Sequence, residues 1–274
     1  MKTIIYACAA LAFGGLCACS NGGNTAISDF VIKENIKSAS QTYMEISDND
    51  TIYWTLSTSV QWPVEFGDHS LEVLQDSIMQ KLFGGATLQN KMKIDDAIAH
   101  FIDTPDIFEE NATMVKVDSI PELVMNSRYI EETAKVAELN EKFVTYQIIH
   151  SSYLGGAHPN TGIDMFTYDL EQGQVMTMAN MFKPGTEKAL MTAIREALAQ
   201  QLGVDSPDKL EDAGIFTDQL TEPGQPYLQD DALVIYYNPY EIAPYAMGPI
   251  EVTLWPEAVE TLVTPRVIEL MSNK

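Results

Sequence analysis

Four histidines, thirty-nine acidic residues and a run of closely spaced tyrosines are the side chains of this 274-residue sequence best placed to do chemistry. His69, His100, His150 and His158 never fall at i, i+4, and no His-Glu-x-x-His occurs, so the helical zinc-protease arrangement is excluded. His150 and His158 flank a strand end and could approach each other with Asp164 as a third ligand. His158, however, sits in a Gly155-Gly-Ala-His-Pro159 turn, where a ring nitrogen bonded to backbone is the simpler expectation, and no metal site is assigned. No Gly-x-Ser-x-Gly elbow is present. Ser206-Pro-Asp-Lys209 has a bare Ser-x-x-Lys spacing without the accompanying motifs. It reads instead as a helix start, with the serine capping and Pro207 in the first position. Glu109-Glu110, Glu131-Glu132 and Asp230-Asp231 are pairs that an acidic chain produces by chance, and neighbours on a strand face opposite sides. A glycosidase needs two acids from different elements about 5–10 Å apart. Gly84-Gly85 is not followed by Lys-Ser or Lys-Thr, so no phosphate loop is read. No catalytic residue and no cofactor is assigned.

The tyrosines point to recognition. Tyr236, Tyr237, Tyr240 and Tyr245 are interleaved with Asn238, Pro239 and Pro244, and a second stretch reads Tyr153-Leu-Gly-Gly-Ala-His-Pro-Asn160. Tyrosine offers a stacking face and a hydroxyl, which suits glycan or protein partners. The candidate ligand-binding residues are Tyr153, His158, Asn160, Tyr240, Glu241 and Tyr245; the competing expectation is that the prolines shape a rigid turn whose tyrosines pack inward.

The elements that must hold these residues follow from periodicity. Phe30 to Ile46 and Ile52 to Val64 alternate like two strands around Asp48-Asn49-Asp50. Ser70 to Phe83 carries an apolar helical face, with Ser70 as expected cap, and a second helix is predicted over Lys93 to Ile102. Tyr129 to Ala137 and Phe143 to Tyr153 should pair, as should Thr161 to Leu170 and Gln174 to Met178 through a left-handed Gly173. Thr186 to Leu202 is the clearest helix, stopped by Gly203, and Asp208 to Asp212 adds a short helical turn. Tyr227 to Gln229 and Ala232 to Tyr237 form a hairpin, Ile250 to Leu254 a further strand, and Pro256 to Leu262 and Pro265 to Met271 begin helices on proline. The fold class expected is α+β, a small N-terminal α/β module followed by a larger domain of antiparallel sheet and helices.

The N-terminus bears on location. Lys2, the apolar Ile4 to Leu16 and Leu16-Cys-Ala-Cys19 fit a bacterial lipoprotein signal with Cys19 as the lipidated residue; the apolar run is shorter than the ~20 residues of a spanning helix. Ser20 after Cys19 favours the outer membrane, facing periplasm or exterior. The division expected is residues 1–18 as signal peptide, 19–28 as lipidated cysteine and tether, 29–125 as an N-terminal α+β module, and 126–274 as the C-terminal domain. All three cysteines lie in the signal, which removes disulfides and thiol nucleophiles from the rest. The formal charge is −23, and losing Lys2 makes it one unit more negative. Such acidity excludes nucleic-acid binding, which needs lysine and arginine to displace counterions, and attracts cationic partners.

Two motifs carry a family resemblance. Tyr153-Leu-Gly-Gly-Ala-His-Pro-Asn160 with Phe166-Thr-Tyr-Asp-Leu-Glu-Gln-Gly through Phe182, and Tyr237-Asn-Pro-Tyr-Glu-Ile-Ala-Pro-Tyr-Ala-Met-Gly248 with Leu254-Trp-Pro256, resemble the extracytoplasmic domain of RsiV-type lysozyme-sensing anti-sigma factors, also found beside peptidoglycan deacetylase domains. The resemblance covers about residues 126–262 and implies a domain that binds rather than reacts. Its implied partners are a lysozyme-like cationic hydrolase or peptidoglycan, together with the membrane through the lipid anchor. The expected function is therefore a non-catalytic envelope lipoprotein, the alternative an envelope polysaccharide-modifying enzyme with an unrecognised carboxylate pair.

Overall fold

In the computed structural model, the residues described are 35–272 apart from 48–49, 68, 85–86, 88–90, 104–111 and 123–125. The expected signal peptide, Cys19 and the expected tether lie outside them. The expected α+β class is the observed one, built in four layers.

The central layer is a seven-stranded sheet of β1 (Ile36–Ile46), β2 (Thr51–Gln61), β3 (Thr113–Val117), β4 (Ser127–Leu139), β5 (Phe143–Tyr153), β6 (Asn160–Asp169) and β7 (Gln174–Val175). Its order is β3-β1-β2-β4-β5-β6-β7, antiparallel except where β2 runs parallel to β4. β3 is a strand the alternation did not reveal, since only five residues form it, at an edge. The division expected at residue 125 falls among residues not described, and strands from both sides of it share this sheet.

Two helices cover part of one face: α1 (Glu72–Phe83) and α2 (Ile94–Asp103). Leu74, Ile78 and Leu82 of α1 and Ala97, Ile98 and Ile102 of α2 bury against Trp54, Leu56, Val60, Tyr146 and Ile148. Burying each large apolar side chain contributes roughly 1.5–3 kcal/mol before chain entropy is charged. The cap position falls on Leu71, one residue after the expected Ser70, and carries no side-chain cap bond; Ser70 Oγ only accepts the N–H of Glu72 at 3.3 Å.

The opposite face receives a three-stranded sheet, β8 (Gln225–Gln229), β9 (Ala232–Tyr237) and β10 (Ile250–Leu254), in the order β10-β9-β8. Two buried threonines join the sheets: Thr145 Oγ1 donates to Leu228 O at 2.7 Å, and Thr167 Oγ1 accepts from Leu228 N at 2.8 Å. The far side of the small sheet packs on α4 (Glu187–Leu202) and α6 (Pro265–Met271) through Leu190, Ile194, Leu198, Val267 and Leu270. α3 (Met178–Met181) and α5 (Pro256–Val259) are single turns, so the helix expected from Pro256 stops short of Leu262. Gly203 ends α4 in the left-handed region, and Gly173 turns β6 into β7 at φ 64°. The motif at Ser206 is a short 3-10 turn over Pro207–Lys209; Ser206 holds the cap position, but its hydroxyl makes no cap bond. Among the described residues no helix is long and apolar enough to cross a membrane.

Candidate functional site

Two loops meet at one end of these sheets, residues 154–159 leaving β5 and residues 238–249 joining β9 to β10. Tyr245 ties them, its hydroxyl donating to Pro159 O at 3.1 Å. The His158 ring stacks on Tyr245 with centroids 4.2 Å apart and planes 22° apart, and Tyr245 stacks in turn with Tyr240 at 5.4 Å and 29°. Three rings from two loops thus form one continuous ledge. His158 Nδ1 lies 2.7 Å from Pro159 O, the backbone bond expected of it, so that nitrogen carries a proton.

Tyr240 is the outermost ring, 55% exposed. It sits at φ 72°, a region that bulky residues avoid and that costs of order 1–3 kcal/mol. Glu241 braces the turn by accepting the Asn238 N–H at 2.8 Å and is itself exposed. Tyr153 is half-buried beside Tyr129, with ring centroids 6.5 Å apart, its hydroxyl donating to Gly156 O at 3.0 Å. Tyr236 and Tyr237 turn inward instead, 1% and 3% exposed. Burial, reinforced by Glu251 and Glu241, pushes the Tyr236 phenol up to about 12. The inward and outward expectations are therefore each met by half of the cluster.

Asn160 belongs elsewhere. It lines a cleft of about 520 Å³ on the helix-bearing face, together with Trp54, Ile130, Glu132 and His150. Here His150 Nδ1 makes a short contact with Glu132 Oε2, its cross-strand neighbour on β4. The bond to Glu132 raises the imidazole above its ordinary value against the opposing effect of burial. Burial raises the Glu132 carboxyl, and His150 offsets only part of that. Asp164, the third ligand such a histidine pair would need, pairs with Lys81 at 3.6 Å, and His158 lies in the ledge rather than beside His150.

Residues 179–255 match the family model DUF3298, a protein family of unknown function. That match takes in β8, β9, β10 and the 238–249 loop of the ledge. Over 88% of its length the chain is similar to a crystal structure of a DUF3298 member from Bacteroides fragilis NCTC 9343, at 21% identity and covering 99% of that chain, with a TM-score of 0.64. It is also similar to a DUF3298 protein from Pseudomonas aeruginosa PAO1, at 18% identity over 86% and 98%, with a TM-score of 0.53. Both show a shared fold. A Mycobacterium tuberculosis protein named as an esterase is 30% identical over 100 residues, and the match spans only 41% of that relative's length.

Part of the Asn-Pro-Tyr motif has a structural explanation. β7 pairs only with the last two residues of β6, which leaves the start of that strand as an edge. Asn238 closes it: its Oδ1 accepts Ile163 N–H at 2.7 Å and its Nδ2 donates to Ile163 O at 3.0 Å. Gln225 continues the pattern, accepting Met165 N–H at 2.9 Å and donating to Ile163 O at 3.2 Å. Two side-chain amides thus occupy backbone groups that would otherwise template another strand. Sequence reasoning missed this role, as it missed Glu45, Trp54, Arg128 and Glu132 in the cleft. Arg128 carried the one available signal, a cation on a strand of a chain with 16 basic residues against 39 acidic.

Proposed function

We propose that the protein is a non-catalytic envelope lipoprotein, anchored through Cys19, that binds peptidoglycan glycan on the ledge of His158, Tyr245 and Tyr240. The observation that carries this reading is Tyr240, a large aromatic face held outward in a backbone conformation unfavourable for tyrosine. Stacked rings offered to solvent suit the apolar faces of sugar rings. The test is co-sedimentation with insoluble peptidoglycan: Tyr240→Ala and Tyr245→Ala should release the protein, and undiminished sedimentation of both variants would remove the ledge from the binding site.

A second reading has its own support. The charge of −23 and the RsiV-type resemblance favour a cationic lysozyme-like hydrolase as partner. Interferometry against lysozyme at about 50 and 300 mM salt separates the two, because charge-driven binding weakens with salt while ring stacking persists. The esterase relative raises an enzymatic alternative. His150 and Glu132 supply the base and its orienting acid, but among the described residues no hydroxyl is hydrogen-bonded to His150. Hydrolysis of p-nitrophenyl butyrate that disappears in His150→Ala would replace the binding reading.

A further inference from the structure

The cleft that holds Asn160 contains two opposite charges that have not paired. Arg128 and Glu45 both line it, and among the described residues neither forms an ion pair. The Trp54 indole stands between them. Its Nε1 donates to Glu45 Oε2 at 2.6 Å, while the Arg128 guanidinium carbon lies over its ring, 5.2 Å from the centroid. Arg128 is therefore held by an aromatic face instead of a carboxylate, in a chain where carboxylates are abundant. Its Nε is buried, with no hydrogen-bond partner among the described residues. On the loop side Gly155, at φ 92°, packs so closely that a Cβ there would meet Arg128 Nε at 3.3 Å. Glu45 is 4% exposed, and its bond from Trp54 is neutral. A buried carboxylate without a cation and a guanidinium without an anion are each costly by themselves. In the same cleft Glu132 does have a close polar partner, His150.

The apolar part of the lining completes the shape. Ile52 and Ile130 rise from the sheet, and Leu154, 56% exposed, stands at the mouth. The volume, about 520 Å³, is in the range of small-molecule sites.

We propose that this cleft binds a small zwitterion, an amino acid or short peptide with an aliphatic side chain. Its carboxylate lies on Arg128, where a guanidinium offers two parallel donors, and its ammonium faces Glu45. The aliphatic group packs against Ile130 and Leu154. The site is separate from the ledge, so either can fail without the other.

Isothermal titration of the purified full-length chain in mild detergent tests this with four probes: leucine, leucyl-leucine, 4-methylpentanoate (no ammonium) and leucine methyl ester (no carboxylate). Leucine or leucyl-leucine should bind at least about tenfold more tightly than either singly charged probe. Which of the two binds better distinguishes a free amino acid from a peptide end. Arg128→Gln and Glu45→Gln should each cost about tenfold or more; the glutamine at 45 keeps an oxygen for Trp54. No binding of either zwitterion, or equal binding of a singly charged probe, overturns the proposal without reference to any variant. Undiminished zwitterion binding by both variants overturns it as well.

Discussion

Arg266 grips Asp169 at two points, Nε to Oδ2 at 2.6 Å and Nη2 to Oδ1 at 2.7 Å. Asp169 is fully buried and also accepts the N–H groups of Glu171 and Gln172, so every part of its carboxylate is used. The fork ties the end of β6 to α6, across nearly a hundred residues of chain. Removing one partner of a buried pair leaves the other charge uncompensated and costs about 3–5 kcal/mol. Arg266→Ala should therefore lower the urea unfolding free energy by about 3 kcal/mol, and Arg266→Lys should restore only part, because an ammonium cannot make the fork.

Tyr240 separates stability from binding. Glycine adopts φ 72° freely, so Tyr240→Gly should leave the melting temperature unchanged or raise it, by up to about 1 kcal/mol in free energy, while peptidoglycan co-sedimentation falls. A parallel loss of stability would mean the ring packs the fold together.

Gly224 meets a steric limit. A Cβ there would lie 2.2 Å from Tyr236 O and 3.0 Å from its carbonyl carbon. Both are backbone of β9, which is held on each side by β8 and β10 and cannot retreat. Gly224→Ala should cost about 2 kcal/mol or more in chemical denaturation, against a few tenths for Gly162→Ala, where a Cβ meets open space.

The His150–Glu132 pair sets a pH dependence. The imidazole is raised in the fold from its ordinary 6.5, so its contribution is complete below that pH and is lost as pH rises through the folded value. The Glu132 carboxyl, raised from 4.5 by burial, shifts stability in the same direction at lower pH. Asp164 supports the imidazolium and Lys81 opposes it. Unfolding free energies followed from about pH 6 to 9 should decline in the wild type and flatten in His150→Gln. A decline of equal slope in that variant would assign the effect to other groups.

Most elements were legible because each carries its own period. α4 is an Ala-, Leu- and Glu-rich segment closed by Gly203, and the β5–β6 and β8–β9 strands are largely apolar runs bounded by turn residues. The cleft was not legible, and the reason is one residue. Near its turn the β4–β5 hairpin pairs Leu139 with Val144 and Glu138 with Thr145, a register that carried down the strands would set His150 against Thr133. A bulge between Val136 and Glu138 shifts the pairing and brings Glu132 opposite His150. Glu45 and Arg128 were hidden for a different reason: Trp54 connects them through β2, and the parallel β2–β4 pairing leaves no local mark in the sequence. The ledge was half visible, since composition flagged the tyrosines but not which of them face out.

That parallel pairing also orders the birth of the molecule. During synthesis the β1–β2 hairpin emerges first, and its stretch Tyr53–Val60 must wait for Ser127–Ala134 to appear some ~70 residues later. Until then the hairpin shows a bare strand flank to whatever passes. A fragment started at residue 126 would inherit the complementary hazard along β4 and would be expected to recruit a second copy to cover it.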